Sequence, residues 1–265
     1  STSRWTTERS DSGRTPHQPN EGGHSRPHTR YTYTMRVGVI SDIHGNRVAL
    51  GEVLADMPDV DRLVCAGDVV GYNPWHADCV DAMRGEPAAL PEGPWPTVPI
   101  PTVMGNHDRA VAGETPFTFN GMAQAGVEHA KEQLDDEQVG WLADLPETLW
   151  VCDDRVKLVH GHPDDPDHYT YPEEFAPELL GDEDLLVMGH THHQHHEIYD
   201  EGIVCNPGSV GQPRDGNYRA AYAIVDLDER TVEEHRVGYD TGEVIDAVAD
   251  VGLPREIGFR LTQGR

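Results

Sequence analysis

The feature that most constrains this chain is a set of five short apolar runs, each ending in Asp, Asn or His beside a glycine. Short β-branched and aliphatic runs of this kind are typical of buried strands in an α/β sheet. In such sheets, ligands bind beyond the carboxyl ends of the strands. We therefore expect one shared site. The runs end at Asp42-Ile-His44-Gly45, Gly67-Asp68, Gly105-Asn106-His107-Asp108, His160-Gly161-His162 and Gly189-His190-Thr191-His192.

The polar residues at these strand ends predict a metal centre. Nitrogen and oxygen donors from separate strands suit Mn, Fe, Zn or Co better than a metal that prefers thiolates. Seven candidate ligands are too many for one tetrahedral ion and match two ions that share a bridging carboxylate. Two cations about 3.5–4 Å apart can clamp a phosphate and activate the bridging water as hydroxide for in-line attack. The candidates are Asp42, His44, Asp68, Asn106, His160, His190 and His192.

The motifs D-x-H, G-D, G-N-H-D, H-G-H and G-H-T-H, in this order, resemble the signature of the calcineurin-like metallophosphoesterase superfamily. The resemblance covers residues 35–240. The turn Gly67–Tyr72 and the loop Asn206-Pro-Gly-Ser209 are most similar to its small prokaryotic phosphodiesterase branch, often called diadenosine-tetraphosphatase-like. Five short motifs in the right order are far more specific than any one of them. The resemblance implies a metal-dependent hydrolase of a small phosphodiester or phosphomonoester.

The resemblance also implies roles for the metal-site residues. Asp42, His44 and His192 are expected to hold the first ion, Asp68 to bridge, and Asn106, His160 and His190 to hold the second. Manganese is the first expectation, with Fe, Zn, Co or Ni as alternatives. In an extended backbone, residues two apart point the same way, so we expect Asp42 and His44 to reach one ion together.

The same comparison implies that His107 lies beside the substrate phosphate, either as a general acid for the leaving oxygen or as a charge stabiliser. Asp108 is expected to orient a ligand or His107. Arg214 either binds a phosphate in a bidentate manner or pairs with an acidic residue of this acidic chain. Further candidates for substrate contact are Asn46, Tyr72, Asn73, Asn206 and Arg214.

Three alternative functions remain open at this level. Protein phosphatases of the superfamily typically carry G-D-x-x-D-R-G, whereas Asp68 is followed here by Val-Val-Gly-Tyr. A nuclease is less favoured because no basic groove or added nucleic-acid module is evident, so no stable nucleic-acid complex is expected. The fold also serves as an interaction scaffold that has lost metal chemistry, but such a scaffold is expected to have lost ligands.

Hydrophobic periodicity predicts an α/β fold, a four-layer α-β-β-α sandwich of two mixed sheets with helices outside. Helices alternate with strands up to about residue 142, and hairpins follow. The predicted strands are Val37–Ser41, Arg62–Ala66, Thr102–Met104, Thr148–Cys152, Val156–His160, Leu185–Met188, Ile203–Cys205, Ala220–Val225 and Val232–Val237. The predicted helices are Asn46–Asp56, one through Ala77, Val80 and Met83, Asn120–Leu134, Glu137–Leu142 and Asp240–Val251.

Composition adds further expectations. Acidic residues outnumber basic ones 47 to 20, and only Lys131 and Lys157 are lysines, a balance that resembles proteins of salt-loving microbes. The four scattered cysteines favour buried thiols over disulfides or a zinc cluster. The absence of a long apolar run predicts a cytoplasmic protein that does not enter membranes. The family resemblance implies a small phosphoester substrate, and the sequence leaves monomer and homodimer open. Residues 1–34 are predicted to be a disordered extension, with 35–265 as the catalytic domain.

Overall fold

The structure, a computed structural model, describes residues 34–113 and 120–265. These residues form nine strands in two sheets, which we call sheet 1 and sheet 2. The predicted disordered extension, apart from Thr34, lies outside the described residues. The strands are β1 (Arg36–Ile40), β2 (Arg62–Cys65), β3 (Thr148–Val151), β4 (Val156–Val159), β5 (Leu185–Val187), β6 (His195–Ile198), β7 (Ile203–Asn206), β8 (Ala220–Asp226) and β9 (Thr231–Val237).

Both sheets are mixed, which confirms the predicted fold class. Sheet 1 has the order β2-β1-β8-β9, with β1 parallel to β2 and antiparallel to β8. Sheet 2 has the order β3-β4-β5-β7-β6, in which the parallel strands β4, β5 and β7 are flanked by antiparallel edges. The turn at Asp153-Asp154 joins β3 to β4, which pair in an antiparallel manner.

Seven helices occur in the described part of the chain, and their buried apolar residues belong to one cluster with residues of sheet 1. In α1, for example, Leu50 and Leu54 are buried in one cluster with Ile40 and Tyr222 of the sheet. Burying each such side chain contributes about 1.5–3 kcal/mol. The helices are α1 (Arg47–Asp56), α2 (His76–Arg84), α3 (Asn106–Ala112), α4 (Gly121–Gln133), α5 (Asp136–Ala143), α6 (Thr241–Asp250) and α7 (Arg255–Leu261).

The two sheets pack face to face through a second cluster. Val37 and Val39 of sheet 1 are buried with Leu158 and Val187 of sheet 2. Because side chains alternate along a strand, Ile40 points instead to the helical side. The outer face of sheet 2 is covered by a segment that contains two 3-10 turns, Pro172–Glu174 and Pro177–Leu179. The order of layers is therefore helices, sheet 1, sheet 2 and this thin outer segment.

The prediction of a third strand at Thr102–Met104 was wrong. Thr102 forms only an isolated parallel bridge with Cys65. Pro99 and Pro101 have no N–H to donate, and the N–H of Met104 turns away to the carbonyl of Pro146 at 2.8 Å. A continuous ladder therefore cannot form, although the segment still leads Asn106 to the edge of β2.

Three elements were not predicted. The predicted metal-site sequence Asn106-His107-Asp108 begins helix α3, with Gly113 in the left-handed conformation at its end (φ 87°). Strand β6 contains His195 and His196 and is only partly buried, so it lacks the apolar run that marks a buried strand. Helix α7 has seven residues and buries Ile257 and Leu261. No helix in the described ranges is long and apolar enough to span a membrane.

Candidate metal centre

The loops after β1, β2, β4 and β5 meet at one end of the sandwich and are joined by backbone hydrogen bonds. Asp42 N–H donates to the carbonyl of Gly67 at 2.9 Å, and His44 N–H donates to the carbonyl of Asp68 at 3.0 Å. Gly189 N–H donates to the carbonyl of His160 at 2.7 Å. These bonds join the loops in two pairs, and the N–H of His190, which donates to Oδ2 of Asp42 at 3.1 Å, links the two pairs.

The backbone at this end adopts the left-handed conformation at five candidate ligands. The φ angles are 54° at Asp42, 50° at His44, 54° at Asp68, 68° at His190 and 60° at His192. Such a conformation costs a non-glycine residue about 1–2 kcal/mol. Strain concentrated in this way is typical of functional sites, where the surrounding structure holds the residues in place.

The expectation that Asp42 and His44 point the same way because their backbone is extended was wrong. Both residues lie beyond the end of β1 at Ile40, and both have positive φ. Their side chains nevertheless converge, because hydrogen bonds from their backbone N–H groups fix them against the loop that carries Asp68. Tertiary contacts, rather than the period of a strand, bring the pair together.

The first group of candidate ligands consists of Asp42, His44 and His192. Their ligand atoms lie within 4.8 Å of one another, and all three residues are buried. Nε2 of His44 lies 3.0 Å from Nε2 of His192, and Nε2 of His192 lies 3.2 Å from Oδ1 of Asp42. Three donor atoms therefore face a common point.

The second group consists of Asp68, His160 and His190, whose ligand atoms also lie within 4.8 Å of one another. Nε2 of His160 is 3.4 Å from Oδ2 of Asp68 and 3.3 Å from Oδ1 of Asn106. Nε2 of His190 lies 3.3 Å from the carbonyl of Asp167, which leaves Nδ1 as the acceptor nitrogen of this ring. The structure thus brings all four residues predicted for the second ion together.

Asp68 lies between the two groups. Its Oδ2 is 3.7 Å from Nε2 of His44 and 3.4 Å from Nε2 of His160. Its Oδ1 accepts a hydrogen bond from the backbone N–H of His107 at 2.8 Å. Although burial opposes its ionisation, the imidazoles of His160 and His107 lower the pKa of Asp68 well below its usual value. The residue is therefore an anion that faces both groups.

Each of the clustered histidines turns one ring nitrogen to a backbone carbonyl. Nδ1 of His44 lies 3.1 Å from the carbonyl of Val70, Nδ1 of His160 lies 2.8 Å from that of Ala66, and Nδ1 of His192 lies 2.5 Å from that of Gln212. An Nδ1–H that donates to a carbonyl leaves Nε2 as a lone-pair donor, which is the usual arrangement behind a metal-binding histidine.

The donor set fits divalent cations. Burial lowers the pKa of His44 and of His192, so both rings are neutral and two Nε2 lone pairs face each other across 3.0 Å. Oδ1 of Asp42 is buried and accepts no hydrogen bond within the described part of the chain. A cation among these atoms would satisfy all three, and nitrogen and oxygen donors suit Mn, Fe, Zn or Co.

His160 behaves differently from its neighbours. Burial lowers its pKa, but the carboxylates of Asp68 and Asp42 and the hydrogen bond to Asp68 outweigh burial and raise the pKa to about 10. In the metal-free protein this ring is therefore a cation that partly neutralises Asp68. A metal ion must displace that proton, so metal affinity is expected to rise with pH.

Two motif glycines allow the loops to approach closely. A Cβ on Gly105 would lie 2.0 Å from Oδ1 of Asp68. A Cβ on Gly189 would lie 2.1 Å from Oγ of Ser41 and 2.8 Å from Oδ2 of Asp42. Glycine before Asn106 and before His190 therefore leaves room for candidate ligands from other loops.

A cavity of about 180 Å³ opens onto these groups. The candidate ligands Asp68, Asn106, His190 and His192 line one side of it. A larger cavity of about 390 Å³, bounded in part by Val60–Leu63 and Val98–Pro101, contains none of the seven candidate ligands. Chemistry therefore favours the smaller cavity as the substrate site. Its remaining lining residues are Tyr72, His107, Asn120, Ala123, Tyr169, Arg214 and Arg260.

His107 lines this cavity from the first turn of α3. Its ring centroid lies 4.8 Å from those of His44 and Tyr72. Burial lowers its pKa to about 4, with Asp68 acting against burial and Arg214 acting with it. The ring is therefore neutral and can donate a hydrogen bond. Of the two roles expected for His107, this favours the charge stabiliser over the general acid for the leaving oxygen.

Asp108 does not point into the cavity. Its Oδ2 accepts hydrogen bonds from the N–H groups of Asp68 and Gly105, and its Oδ1 accepts from those of Val69 and Val70, at 2.8–3.2 Å. Burial and the charge of Asp68 raise its pKa to about 7, while these donors favour the anion. Asp108 fixes the backbone beside Asp68 and is not placed to contact substrate.

The structure corrects three predicted substrate contacts, because Asn46, Asn73 and Asn206 are buried and bonded to the backbone. Asn46 caps α1 by accepting from Ala49 N–H and donates to the carbonyl of Gly211. Asn73 donates to the carbonyl of His44. Asn206 donates to the carbonyl of Gly189 and accepts from Gly208 N–H. Each holds a loop that carries candidate ligands or packs on one.

The other two predicted substrate contacts, Tyr72 and Arg214, line the cavity. Nη2 of Arg214 donates to Oη of Tyr72 at 3.2 Å and to Oε1 of Gln212 at 2.7 Å. Among the described residues no carboxylate forms an ion pair with Arg214, which disfavours the expected alternative of an acidic partner. Asn120, Tyr169 and Arg260 were not predicted. Only Tyr169 had a local signal, since it directly follows His168 in an aromatic-rich loop.

Comparison with known proteins gives a consistent result. Residues 35–230 match the family model described as the calcineurin-like phosphoesterase superfamily domain. The chain is 31% identical over 251 residues to protein MJ0912 of Methanocaldococcus jannaschii, covering 86% of this chain and 98% of that protein. It is 28% identical over 205 residues to phosphodiesterase YfcE of Escherichia coli K12, covering 75% of this chain and 91% of YfcE.

A similar solved structure is the metallophosphoesterase from Sphaerobacter thermophilus. It superposes with a TM-score of 0.72 at 32% sequence identity, and the match covers 88% of this chain and 100% of that one.

Proposed function

This chain belongs to the calcineurin-like phosphoesterase superfamily, and we propose that it is a two-metal phosphoesterase of a small phosphodiester or phosphomonoester. The family and the match to YfcE support a hydrolase of phosphoric esters. The observation that carries the two-metal assignment is the position of Asp68, whose Oδ2 lies within 3.7 Å of a histidine from each ligand group.

In this proposal Asp42, His44 and His192 would hold one divalent ion, and Asn106, His160 and His190 the other, with Asp68 shared. Manganese is the expected ion, and Fe, Zn, Co or Ni are alternatives with similar donor preferences. When bound, two such ions supply Lewis acidity and lower the pKa of a water so that it can serve as the nucleophile. The carbonyls of Val70, Ala66 and Gln212 orient the imidazoles for this task.

His107 would act on the phosphoester itself. Its neutral ring can donate an N–H to a phosphate oxygen and stabilise the charge that develops on the leaving oxygen. The hydrogen bond from its backbone to Oδ1 of Asp68 fixes the ring relative to both ligand groups. Arg214, held by Tyr72 and Gln212, presents a cationic guanidinium to the same cavity and would bind phosphate oxygens.

The test is hydrolysis of bis-p-nitrophenyl phosphate and p-nitrophenyl phosphate by protein that has been chelated and reloaded with manganese, at several salt concentrations. We expect metal-dependent turnover of at least one ester. His107→Ala should lower kcat by about 10²–10³-fold, the usual effect of removing one hydrogen-bond donor to developing charge, and retain its metal. His196→Ala is the matched control, because it removes a histidine of β6 whose ring pairs with Glu234 of β9.

The alternatives predict other outcomes. Absence of turnover with the metals bound would favour an interaction scaffold. Turnover of phosphoserine peptides above that of both nitrophenyl esters would favour a protein phosphatase, and cleavage of oligonucleotides above both esters would favour a nuclease.

A further inference from the structure

The cavity has a second basic residue that no motif of the sequence marks. Arg260 lines the same cavity as Arg214, although it belongs to α7 near residue 265. The family match ends at residue 230, so Arg260 lies outside the part of the chain that carries the metal-site motifs. The metal-site motifs therefore do not explain why Arg260 lies at this cavity.

Arg260 is held firmly at the cavity. Ile257 and Leu261 of the same helix are fully buried in the helical core. A Cβ on Gly258 would meet Ile245 of α6 at 3.0 Å, so the two helices pack in close contact. Beyond α7, Gly264 accepts a hydrogen bond from Gly216 N–H at 2.9 Å, which joins this segment to the loop that begins at Arg214. The two arginines are thus presented side by side by one packed unit.

Neither guanidinium group forms an ion pair with an Asp or Glu side chain of the described residues, which is unexpected in a chain with formal net charge −27. Among the described residues, Arg47, Arg84 and Arg236 form ion pairs with carboxylates, whereas neither Arg214 nor Arg260 does. The side chain of Arg260 instead donates through Nε to the backbone oxygen of Arg265 at 2.8 Å. Two guanidinium groups that line one cavity, and that have no Asp or Glu partner of their own among the described residues, provide a site for an anion.

Arg214 is joined directly to the segment that carries the candidate ligands. Its backbone N–H donates to the carbonyl of His192 at 3.3 Å, and its guanidinium donates to Oη of Tyr72, whose ring centroid lies 4.8 Å from that of His107. Burial and Arg214 lower the pKa of Arg260, with Tyr72 as its other cavity neighbour. Both arginines therefore add positive charge to the wall of the cavity that also contains candidate metal ligands.

We propose that Arg260, with Arg214, binds a second phosphate group of the substrate, separate from the phosphoryl group at the metals. The substrate class is then a phosphoester with an additional phosphate, such as a diphosphate ester or a bisphosphate. This inference rests on the proposed function, since it takes the metal groups as the place of reaction. Arg260 is a specificity residue and takes no part in bond cleavage.

The test measures anion binding and therefore does not depend on turnover. Inorganic pyrophosphate and orthophosphate are titrated by calorimetry into the manganese-loaded protein at fixed ionic strength. We expect pyrophosphate to bind at least tenfold more tightly than orthophosphate, because only pyrophosphate has a second phosphate group for the arginines when the first lies at the metals. Arg260→Gln should remove most of that preference. Arg255→Gln, which removes a charge from an exposed position of the same helix, should keep it.

A second measurement compares kcat/KM for adenosine 3′,5′-bisphosphate and adenosine 5′-monophosphate. Arg260→Gln should lower the ratio of the two values about tenfold, chiefly through KM, and Arg260→Lys should restore part of it. An unchanged pyrophosphate preference in Arg260→Gln, or an equal loss in Arg255→Gln, would overturn the proposal. If pyrophosphate binds as expected while no ester is hydrolysed, the second-phosphate site stands and the phosphoesterase proposal fails.

Discussion

Replacing Asp108 by Asn tests whether the site depends on a carboxylate that touches neither substrate nor metal. Asp108 accepts four backbone N–H groups, from Gly105, Asp68, Val69 and Val70. An Asn side chain has only one acceptor oxygen, so its amide would face two of those N–H groups with another donor. Each buried N–H left without an acceptor costs about 1–3 kcal/mol. Removing the charge beside Asp68 offsets part of this loss.

We therefore expect Asp108→Asn to lower the free energy of unfolding of the chelated protein by about 3 kcal/mol. The displaced Asp68 backbone should also weaken metal binding by at least tenfold. Urea unfolding followed by circular dichroism gives the first value, and calorimetric titration with manganese gives the second. Asp135→Asn is the control, because Asp135 caps α5 at two backbone N–H groups and Asn caps a helix equally well. A loss below 1 kcal/mol with unchanged manganese affinity would refute the reasoning.

Two further predictions concern the support of the site. Gly105→Ala should abolish manganese binding while leaving a folded protein, because its Cβ would lie 2.0 Å from Oδ1 of Asp68; normal metal content in this variant would contradict the packing argument. Burial, with the nearby imidazoles of His129 and His107, lowers the pKa of His76 to about 3. The unfolded chain therefore binds a proton that the folded one excludes, so the contribution of His76 to stability is full above about pH 6.5 and is lost as pH falls towards 3. In urea unfolding of chelated protein, the stability of wild type relative to His76→Asn should fall by about 2 kcal/mol between pH 7 and pH 5, and parallel pH dependence of the two proteins would refute it.

The convergence of the loops could be anticipated from sequence because chemistry-bearing residues recur at strand ends. Asp68 lies three residues beyond β2 and His160 directly follows β4, and within each sheet the parallel strands bring such ends to one edge. The local conformation could not be anticipated. Asp42 and His44 leave the strand path into left-handed backbone, which only the contacts with the loops of β2 and β5 can stabilise.

The sequence also could not show which polar residues line the cavity and which hold the backbone of the loops. Asn206 and Arg214 lie in one stretch of nine residues, yet Asn206 is turned inward to the carbonyl of Gly189 and Arg214 lines the cavity. A polar side chain near a motif can satisfy either the backbone or a ligand, and only packing decides which. No motif lies next to Arg260 in the sequence. Its position at the cavity depends on the packing of α7 against α6, which no local pattern indicates.

The short elements were missed for similar reasons. The Asn106-His107 start of α3 has low intrinsic helix preference, and the helix is stabilised instead by Asp108 accepting from the N–H of Gly105. The polar edge strand β6 is held by its register with β7, where His196 lies opposite Cys205. Long periodic segments such as α1 and β8, whose burial follows their period, were predicted within one or two residues.

The most direct test of the account is the electron paramagnetic resonance spectrum and metal content of manganese-loaded protein. The central claim is that Asp68 joins two metal sites. Wild type should contain two ions per chain and give an exchange-coupled spectrum. His44→Ala should remain folded and weaken one ion, while Asp68→Asn should weaken both and abolish the coupling. A single ion at saturation in wild type, or two coupled ions and a normal rate in Asp68→Asn, would contradict the claim.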